Sequence, residues 1–236
     1  MKEPLPRKIE ESLAAHVRIA SGLKRQAEQQ GRLPVPFITI SRQFGCEAIV
    51  LAEALAPKLD AAEKLESGAW HIYSKQIIEA MADEHYSATQ LMDALDMKAR
   101  TAIEEFIETV VGRISDLKLL HKLLRAIRVT ATLGRCIIIG RGGALLTRDM
   151  PGGIHLRLVA SEEFRLKGLV DRFGWTMDKA MQVLRQEDSI RLSFFEKYLH
   201  SNPNDAQNYD LVLNTERLSR AEQLDQILML FKARNL

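Results

Sequence analysis

Five short apolar runs, separated by longer helical stretches, constrain the fold of this chain more than any other feature of its sequence. Most are rich in β-branched residues, and each is only four to seven residues long. Runs of this kind are typical of buried parallel strands. Strands that alternate with helices predict an α/β protein with a three-layer fold, in which about five mostly parallel strands carry helices on both faces. The runs are Val35–Ser41, Trp70–Tyr73, Cys136–Ile139, Ile154–Val159 and Asp210–Asn214.

Helical spacing extends beyond this alternating core in two places. Apolar residues recur at steps of three or four from about Arg7 to Gln30, before Gly31 and Pro34, which predicts an N-terminal helical extension over residues 1–33. Residues 34–236 then form one domain. Within it, the stretch from about residue 87 to 133 has helical spacing and no strand signal.

Composition excludes several classes of protein. The 33 basic and 31 acidic residues leave a formal charge of +2, so no overall field attracts nucleic acid or an anionic membrane. The two cysteines, Cys46 and Cys136, lie in no CxxC pair, which argues against a disulfide framework or a structural zinc site. The charged N-terminus lacks the apolar core of a signal peptide. We therefore expect a cytoplasmic protein with no nucleic-acid or membrane partner.

The turn after the first strand is the natural place for a phosphate. Backbone N–H groups at a helix N-terminus favour an anion, and a full phosphate loop there would read GxxxxGK[ST]. In the matching stretch, residues 41–50 (called the phosphate loop below), Gly45 is the glycine that remains. Glu47 stands where a glycine is expected and would repel a phosphate. An ordinary strand-to-helix turn is therefore an equally good interpretation of the loop alone.

Four segments together resemble the cytidylate kinase-like family, a branch of the nucleoside monophosphate kinases. They are SRQFG, IYSKQIIEAMA, IIIGRGGALL and NYDLVLNTERL, and they occur in the family's order and spacing between about Phe37 and Phe231. The resemblance implies a P-loop kinase core, a helical insert at about 87–133 and an arginine-bearing lid at about 172–200. It also implies a nucleotide as the small-molecule partner, with ATP and Mg²⁺ as cofactors if the chain is active.

The resemblance also assigns roles to individual residues. The catalytic set is Arg141, Asp188 and Arg191. The cofactor-binding set is Ser41, Arg42, Gly45, Cys46 and Arg172. The substrate-binding set is Tyr73, Lys75, Arg141 and Arg165, and no metal ligand is assigned.

Arginine suits this chemistry because its planar fork holds phosphate oxygens bidentately. For Arg165 and Arg172, taken singly, a solvated helix face or a surface ion pair is the better explanation. Arg141 lies between glycines directly after a buried strand, which favours a functional role.

The chain departs from the family pattern in the phosphate loop. Cys46 replaces a serine, Glu47 and Ala48 replace glycines, and Ile49 replaces the family's arginine. Outside the loop, Ser74 replaces an acidic residue.

These departures leave two hypotheses. In the first, the chain transfers a phosphoryl group from ATP to a nucleotide such as CMP, with Arg42 or Lys75 supplying the charge that the loop lacks. In the second, it is a catalytically inactive kinase-fold protein that binds a nucleotide or regulates a partner. A homodimer could then form through the N-terminal helix or the helical insert. A phosphotransferase of another substrate class is a third reading, since fold does not fix function.

Overall fold

A computed structural model describes residues 35–65, 69–83, 95–111 and 118–236, together with the single positions 19, 22 and 92. The N-terminal helix predicted for residues 7–30 lies outside these ranges, apart from the helical positions Ile19 and Gly22. The first part of the predicted insert, residues 87–94, lies outside them apart from Met92. Both stay predictions.

The predicted sheet is confirmed. Its five strands lie in the order β2-β3-β1-β4-β5, and all four neighbouring pairs are parallel. In the register of β1 and β4, Ser41 lies beside Arg157. The strands are β1 (Phe37–Arg42), β2 (His71–Tyr73), β3 (Cys136–Ile139), β4 (Gly153–Val159) and β5 (Leu211–Asn214).

Helices connect the strands as an α/β fold requires. Three of them begin with side-chain caps that the sequence signals: Ser161, Thr176 and Ser219 each accept a backbone N–H in the first turn. The eight α-helices in the described residues are α1 (Ala48–Ala62), α2 (Lys75–Asp83), α3 (Met97–Val111), α4 (Lys118–Leu133), α5 (Gly143–Leu146), α6 (Glu162–Phe173), α7 (Met177–Phe194) and α8 (Arg220–Ala233). A π-helical turn, Phe195–Leu199, continues α7.

Two hydrophobic cores lie on opposite faces of the sheet, because successive strand side chains point to opposite sides. On one face Ile38, Ile40 and Leu156 pack with residues of α1 and α8. On the other, Phe37 and Ile138 pack with residues of α2, α3 and α4. The predicted three-layer arrangement is therefore present in the described residues. No helix among them is both long and apolar enough to span a bilayer.

A third, smaller cluster holds α6 and α7 together. Leu166, Leu169, Ala180 and Leu184 form it, with Phe44 of the phosphate loop packed against it. The helix pair in the predicted lid region thus contacts the loop directly.

Candidate functional site

Two adjoining cavities lie at the carboxyl ends of β1, β3 and β4, where open α/β sheets bind their ligands. The strand-end cavity, about 290 Å³, is lined by Ser41, Arg141, Arg157 and Asn204, among others. The loop cavity, about 410 Å³, is lined by the phosphate loop from Arg42 to Val50 and by residues of α2, α6 and α7. Both cavities share a wall formed by Arg42, Gln43, Lys75, Glu187 and Arg191.

Arg42 lies at the end of β1 in this shared wall. Burial, and then the neighbouring Arg191 and Arg141, lower the pKa of its guanidinium to about 10, although Glu187 acts in the opposite direction. Gly140 makes room for it, because a Cβ at Gly140 would collide with Arg42 Nη1. Within the described ranges, Arg42 makes no ion pair with a carboxylate, so its charge is available to a ligand.

Lys75 is the second cation of the shared wall and begins α2. Burial and then the nearby Arg141 lower the pKa of its ammonium group, whereas Glu187 raises it. Of the ion pairs between described residues, none includes Lys75. Cations that lower one another's pKa bind an anion favourably, because the anion relieves their mutual repulsion.

Arg191 and Glu187 complete the wall. The two side chains form an ion pair at 3.1 Å, and Arg191 Nη1 also donates to the Glu187 carbonyl oxygen at 2.7 Å. The Arg191 guanidinium lies 5.2 Å from the ring centroid of Phe44, a cation–π contact. Arg191 is therefore held in place while still lining both cavities.

Arg141 enters the strand-end cavity from an unusual backbone. It has φ 52°, and the glycines on either side have φ 84° and 72°. Such a left-handed conformation costs a non-glycine residue about 1–2 kcal/mol and is characteristic of functional sites. Its guanidinium pairs with Glu79 and lies 5.5 Å from the Phe194 ring centroid.

The phosphate loop itself is arranged differently from the sequence-based expectation. Glu47 caps α1 with φ 51°, the left-handed conformation of a glycine, and makes no side-chain cap hydrogen bond. Its carboxylate pairs with Arg172 and, at 3.1 Å, with Arg220. Glu47 is thus not an uncompensated charge in the loop, and the assigned cofactor residue Arg172 already has an anionic partner.

Asp188 and Arg165 tie the lid region to the loop. Arg165 Nη1 pairs with Asp188 and donates to the Phe44 carbonyl oxygen at 3.1 Å. Asp188 also accepts the Phe44 backbone N–H at 2.8 Å. Gly45 lies against this tether, since a Cβ there would come within 3.1 Å of Arg165 Cβ. Arg165 lines neither cavity, so its role here is to position the loop.

Two other assigned residues lie in the hydrophobic cores. Tyr73 is 2% exposed, packs in the core beside α2 to α4 and lines neither cavity. Burial raises the pKa of its phenol well above the usual value. Cys46 is 1% exposed, and burial raises the pKa of its thiol. It lies at the base of the loop cavity as a packing residue.

Sequence reasoning missed Arg157, Asn204, Glu187 and Arg220. A signal existed for Arg157, because His155 and Arg157 are polar residues at alternate positions of the otherwise apolar β4. Arg220 and Glu187 resemble ordinary charged residues of solvated helices. Only the folded arrangement brings them to the site.

ATP and Mg²⁺ fit this site unequally. Arg42, Lys75 and the uncapped N-terminus of α1 suit phosphate oxygens. In contrast, Ile49 and Val50 stand where a hydroxyl would bind Mg²⁺, and no group of three or more His, Cys, Asp or Glu among the described residues could hold a metal. Mg²⁺ would therefore enter with the phosphates of ATP.

Comparison with known proteins identifies a family and a similar fold. The profile of the cytidylate kinase-like family matches residues 37–217. A structure of an uncharacterized protein from Eubacterium ventriosum superposes with a TM-score of 0.63 at 18% identity, covering 85% of this chain and 99% of that one. Shikimate kinase from Bacteroides thetaiotaomicron gives a TM-score of 0.44 at 11% identity, over 84% and 98% of the two chains.

One curated protein shares a shorter stretch. A uronate isomerase of Corynebacterium glutamicum is 26% identical over 91 residues, which are 39% of this chain. The match spans only 18% of the length of that relative.

Proposed function

Because the chain belongs to the cytidylate kinase-like family, we propose that it is a nucleotide kinase that transfers a phosphoryl group from ATP to a nucleotide such as CMP. The observation that carries the proposal is the shared wall of the two cavities. Its cations Arg42 and Lys75 have no ion-pair partner among the described residues and face both cavities. A phosphate group bound in one cavity would meet a phosphate group bound in the other at this wall.

The wall supplies what phosphoryl transfer requires. An oxygen of the acceptor phosphate attacks the γ-phosphorus of ATP, the bond from that phosphorus to the bridging oxygen breaks, and ADP leaves with the electron pair. The main obstacle is the repulsion between two anionic groups, so positioning and charge neutralisation dominate catalysis. Arg42, Lys75 and Arg191 would neutralise the transferring group, and Arg141 would orient the acceptor from the strand-end cavity.

The phosphate loop gives specific support to a second candidate function. Glu47, the cap of α1, already pairs with Arg172 and Arg220, cations that would otherwise be available to the donor phosphates. A chain in this state could bind a nucleotide without turning it over and act on a protein partner. The N-terminal helix or the helical insert could then form a homodimer, which sedimentation velocity at several protein concentrations would test.

A turnover assay distinguishes the two candidates. The full chain is incubated with ATP, Mg²⁺ and single monophosphates, including CMP, UMP and AMP, and ADP is measured with and without acceptor. We expect acceptor-dependent ADP that is lost in Arg42→Gln prepared in parallel, which also excludes a contaminating kinase. Saturable ATP binding without acceptor-dependent turnover would favour the second candidate.

A further inference from the structure

We infer that the acceptor carries a second anionic group, a carboxylate or a phosphate, and that Arg157 binds this group at the β4 side of the strand-end cavity. This inference rests on the proposed function, because it describes the ligand of the same cavity. Nothing in the sequence pattern of the family segments assigns a role to Arg157.

Arg157 is a buried cation that lines the cavity. Arg157 belongs to β4 of the central sheet and is only 5% exposed. Its Nη1 donates to Ser41 Oγ at 3.1 Å and its Nη2 to Asn204 Oδ1 at 2.7 Å. Both partners are neutral, so these hydrogen bonds position the guanidinium without forming an ion pair, and the Tyr209 ring centroid lies 5.8 Å from it.

The other buried arginines show how unusual this is. Among the described residues, four arginines are less than 9% exposed. Arg128 pairs with Asp149, Arg135 with Glu63 and Arg165 with Asp188. Arg157 alone of the four has no carboxylate within ion-pair distance in the described ranges. A buried charge without a counter-ion is costly, and an anionic ligand in the adjoining cavity would supply the missing partner.

Arg157 lies on the other side of β1 from the residues that would hold the acceptor phosphate. Lys75 and Arg141 follow β2 and β3 on one side of β1, whereas Arg157 belongs to β4 on the other side. Arg42, at the end of β1, lies between them. One phosphate held by Arg42, Lys75 and Arg141 therefore leaves Arg157 facing the opposite part of the ligand.

Neutral hydrogen-bonding groups surround Arg157 and suit the part of the ligand between its two anionic groups. Tyr209 Oη lies 3.2 Å from Ser41 Oγ and 2.9 Å from the Pro203 carbonyl oxygen. The Asn204 amide and the Ser41 hydroxyl line this end of the cavity, whereas Tyr209 does not line it and holds Ser41 and the Pro203 carbonyl from behind. Such groups can bind the hydroxyls of a sugar ring.

Two matched ligand pairs test the inference without any mutation. Orotidine 5′-monophosphate is UMP with a carboxylate on the base, and cytidine 3′,5′-bisphosphate is CMP with a second phosphate. Calorimetric titration of the full chain should show tighter binding of the doubly anionic member of at least one pair, by about tenfold or more, as expected for a charge-assisted contact. The first pair reports a carboxylate and the second a phosphate as the group that Arg157 binds.

Variants then assign the difference to Arg157. We expect Arg157→Gln to remove the advantage of the doubly anionic ligand, whereas Arg148→Gln, at an exposed arginine that lines neither cavity, retains it. If Arg157→Gln does not fold, the ligand pairs on the unaltered chain still decide whether a second anionic group is bound, and Asn204→Ala tests the contribution of Arg157. The exposed Asn204 gives a second variant, Asn204→Ala, which should reduce the advantage only partly.

The outcomes separate this inference from the proposed function. Equal affinity within both pairs overturns the role of Arg157 and leaves a monophosphate kinase intact. Binding of only the doubly anionic ligands supports Arg157 and contradicts CMP as the acceptor. Binding of none of the four ligands overturns both.

Discussion

The helix end of the phosphate loop, at Glu47, and the strand-end cavity differ in whether their cations form ion pairs. At the loop, Glu47 pairs with Arg172 and Arg220, so the chain supplies its own anion to the cations. At the strand ends, Arg141 and Arg191 pair with Glu79 and Glu187, but Arg42, Lys75 and Arg157 make no ion pair within the described residues. Glu47 and Ala48 have replaced glycines of the loop and Ile49 its basic residue, whereas the shared wall keeps cations that form no ion pair within the described residues.

We infer from this difference where a phosphate would bind. Affinity for an anion depends on charge that the protein does not already neutralise. In this chain that charge lies in the wall between the cavities and beside β4, and only secondarily at the helix N-terminus. The comparison also explains how a degenerate loop can occur within a site that retains Arg141, Asp188 and Arg191.

Removing the Arg42 charge should produce the largest effect. In Arg42→Gln we expect ATP and monophosphate affinity to fall by about 100-fold, because one charge-assisted, partly buried contact serves both cavities. Calorimetric titration measures the change. Arg148→Gln removes the same charge at an exposed position and should bind normally. An unchanged affinity in Arg42→Gln would remove the main support for the shared wall.

The second-largest effect should come from breaking the ion pair between Asp188 and Arg165 that supports the phosphate loop. Asp188→Asn leaves the buried Arg165 without its carboxylate and should lower the free energy of unfolding by about 2 kcal/mol. Chemical denaturation measures this loss. Asp171→Asn, at an exposed carboxylate of α6, should change stability little. Equal stability of the two variants would mean that Asp188 is not a structural residue.

Displacing Arg42 sterically should have a smaller effect than removing it. In Gly140→Ala the new methyl group would collide with Arg42 Nη1, and alanine would have to adopt φ 84°. We expect ATP affinity to fall by about tenfold as the guanidinium shifts. Gly168→Ala is the matched control, because a Cβ there has no neighbour within 4 Å. Normal binding by Gly140→Ala would show that the position of Arg42 does not matter.

Releasing Arg172 and Arg220 from their ion pairs with Glu47 should give the smallest change, an increase in ATP affinity. Glu47→Gly removes the carboxylate that occupies Arg172 and Arg220, so ATP should bind about three- to fivefold more tightly. Lys64→Gly relieves a similar left-handed residue, φ 57°, outside both cavities and should leave affinity unaltered. Weaker ATP binding by Glu47→Gly would mean that Glu47 assists the ligand.

Most of the fold could be predicted from the sequence because its signals are local. Apolar runs such as Cys136–Ile139 identified the strands, and Ser161, Thr176 and Ser219 marked helix starts. The same local reading located Arg141 and the loop. By contrast, Glu47 pairs with Arg220, 173 positions away, and Arg165 pairs with Asp188, 23 positions away. No local sequence pattern specifies such pairs. Tyr73 shows two local signals in conflict, because its family position implied substrate binding whereas its place in the buried run Trp70–Tyr73 agrees with its burial in the core.

The most direct test of the account is a calorimetric titration of the full, unaltered chain with ATP in the presence of Mg²⁺, repeated with Arg42→Gln. The account predicts saturable ATP binding that falls sharply in the variant. Absence of ATP binding up to millimolar concentration, or equal binding by both proteins, would contradict the claim that the unpaired cations of the shared wall replace the phosphate loop.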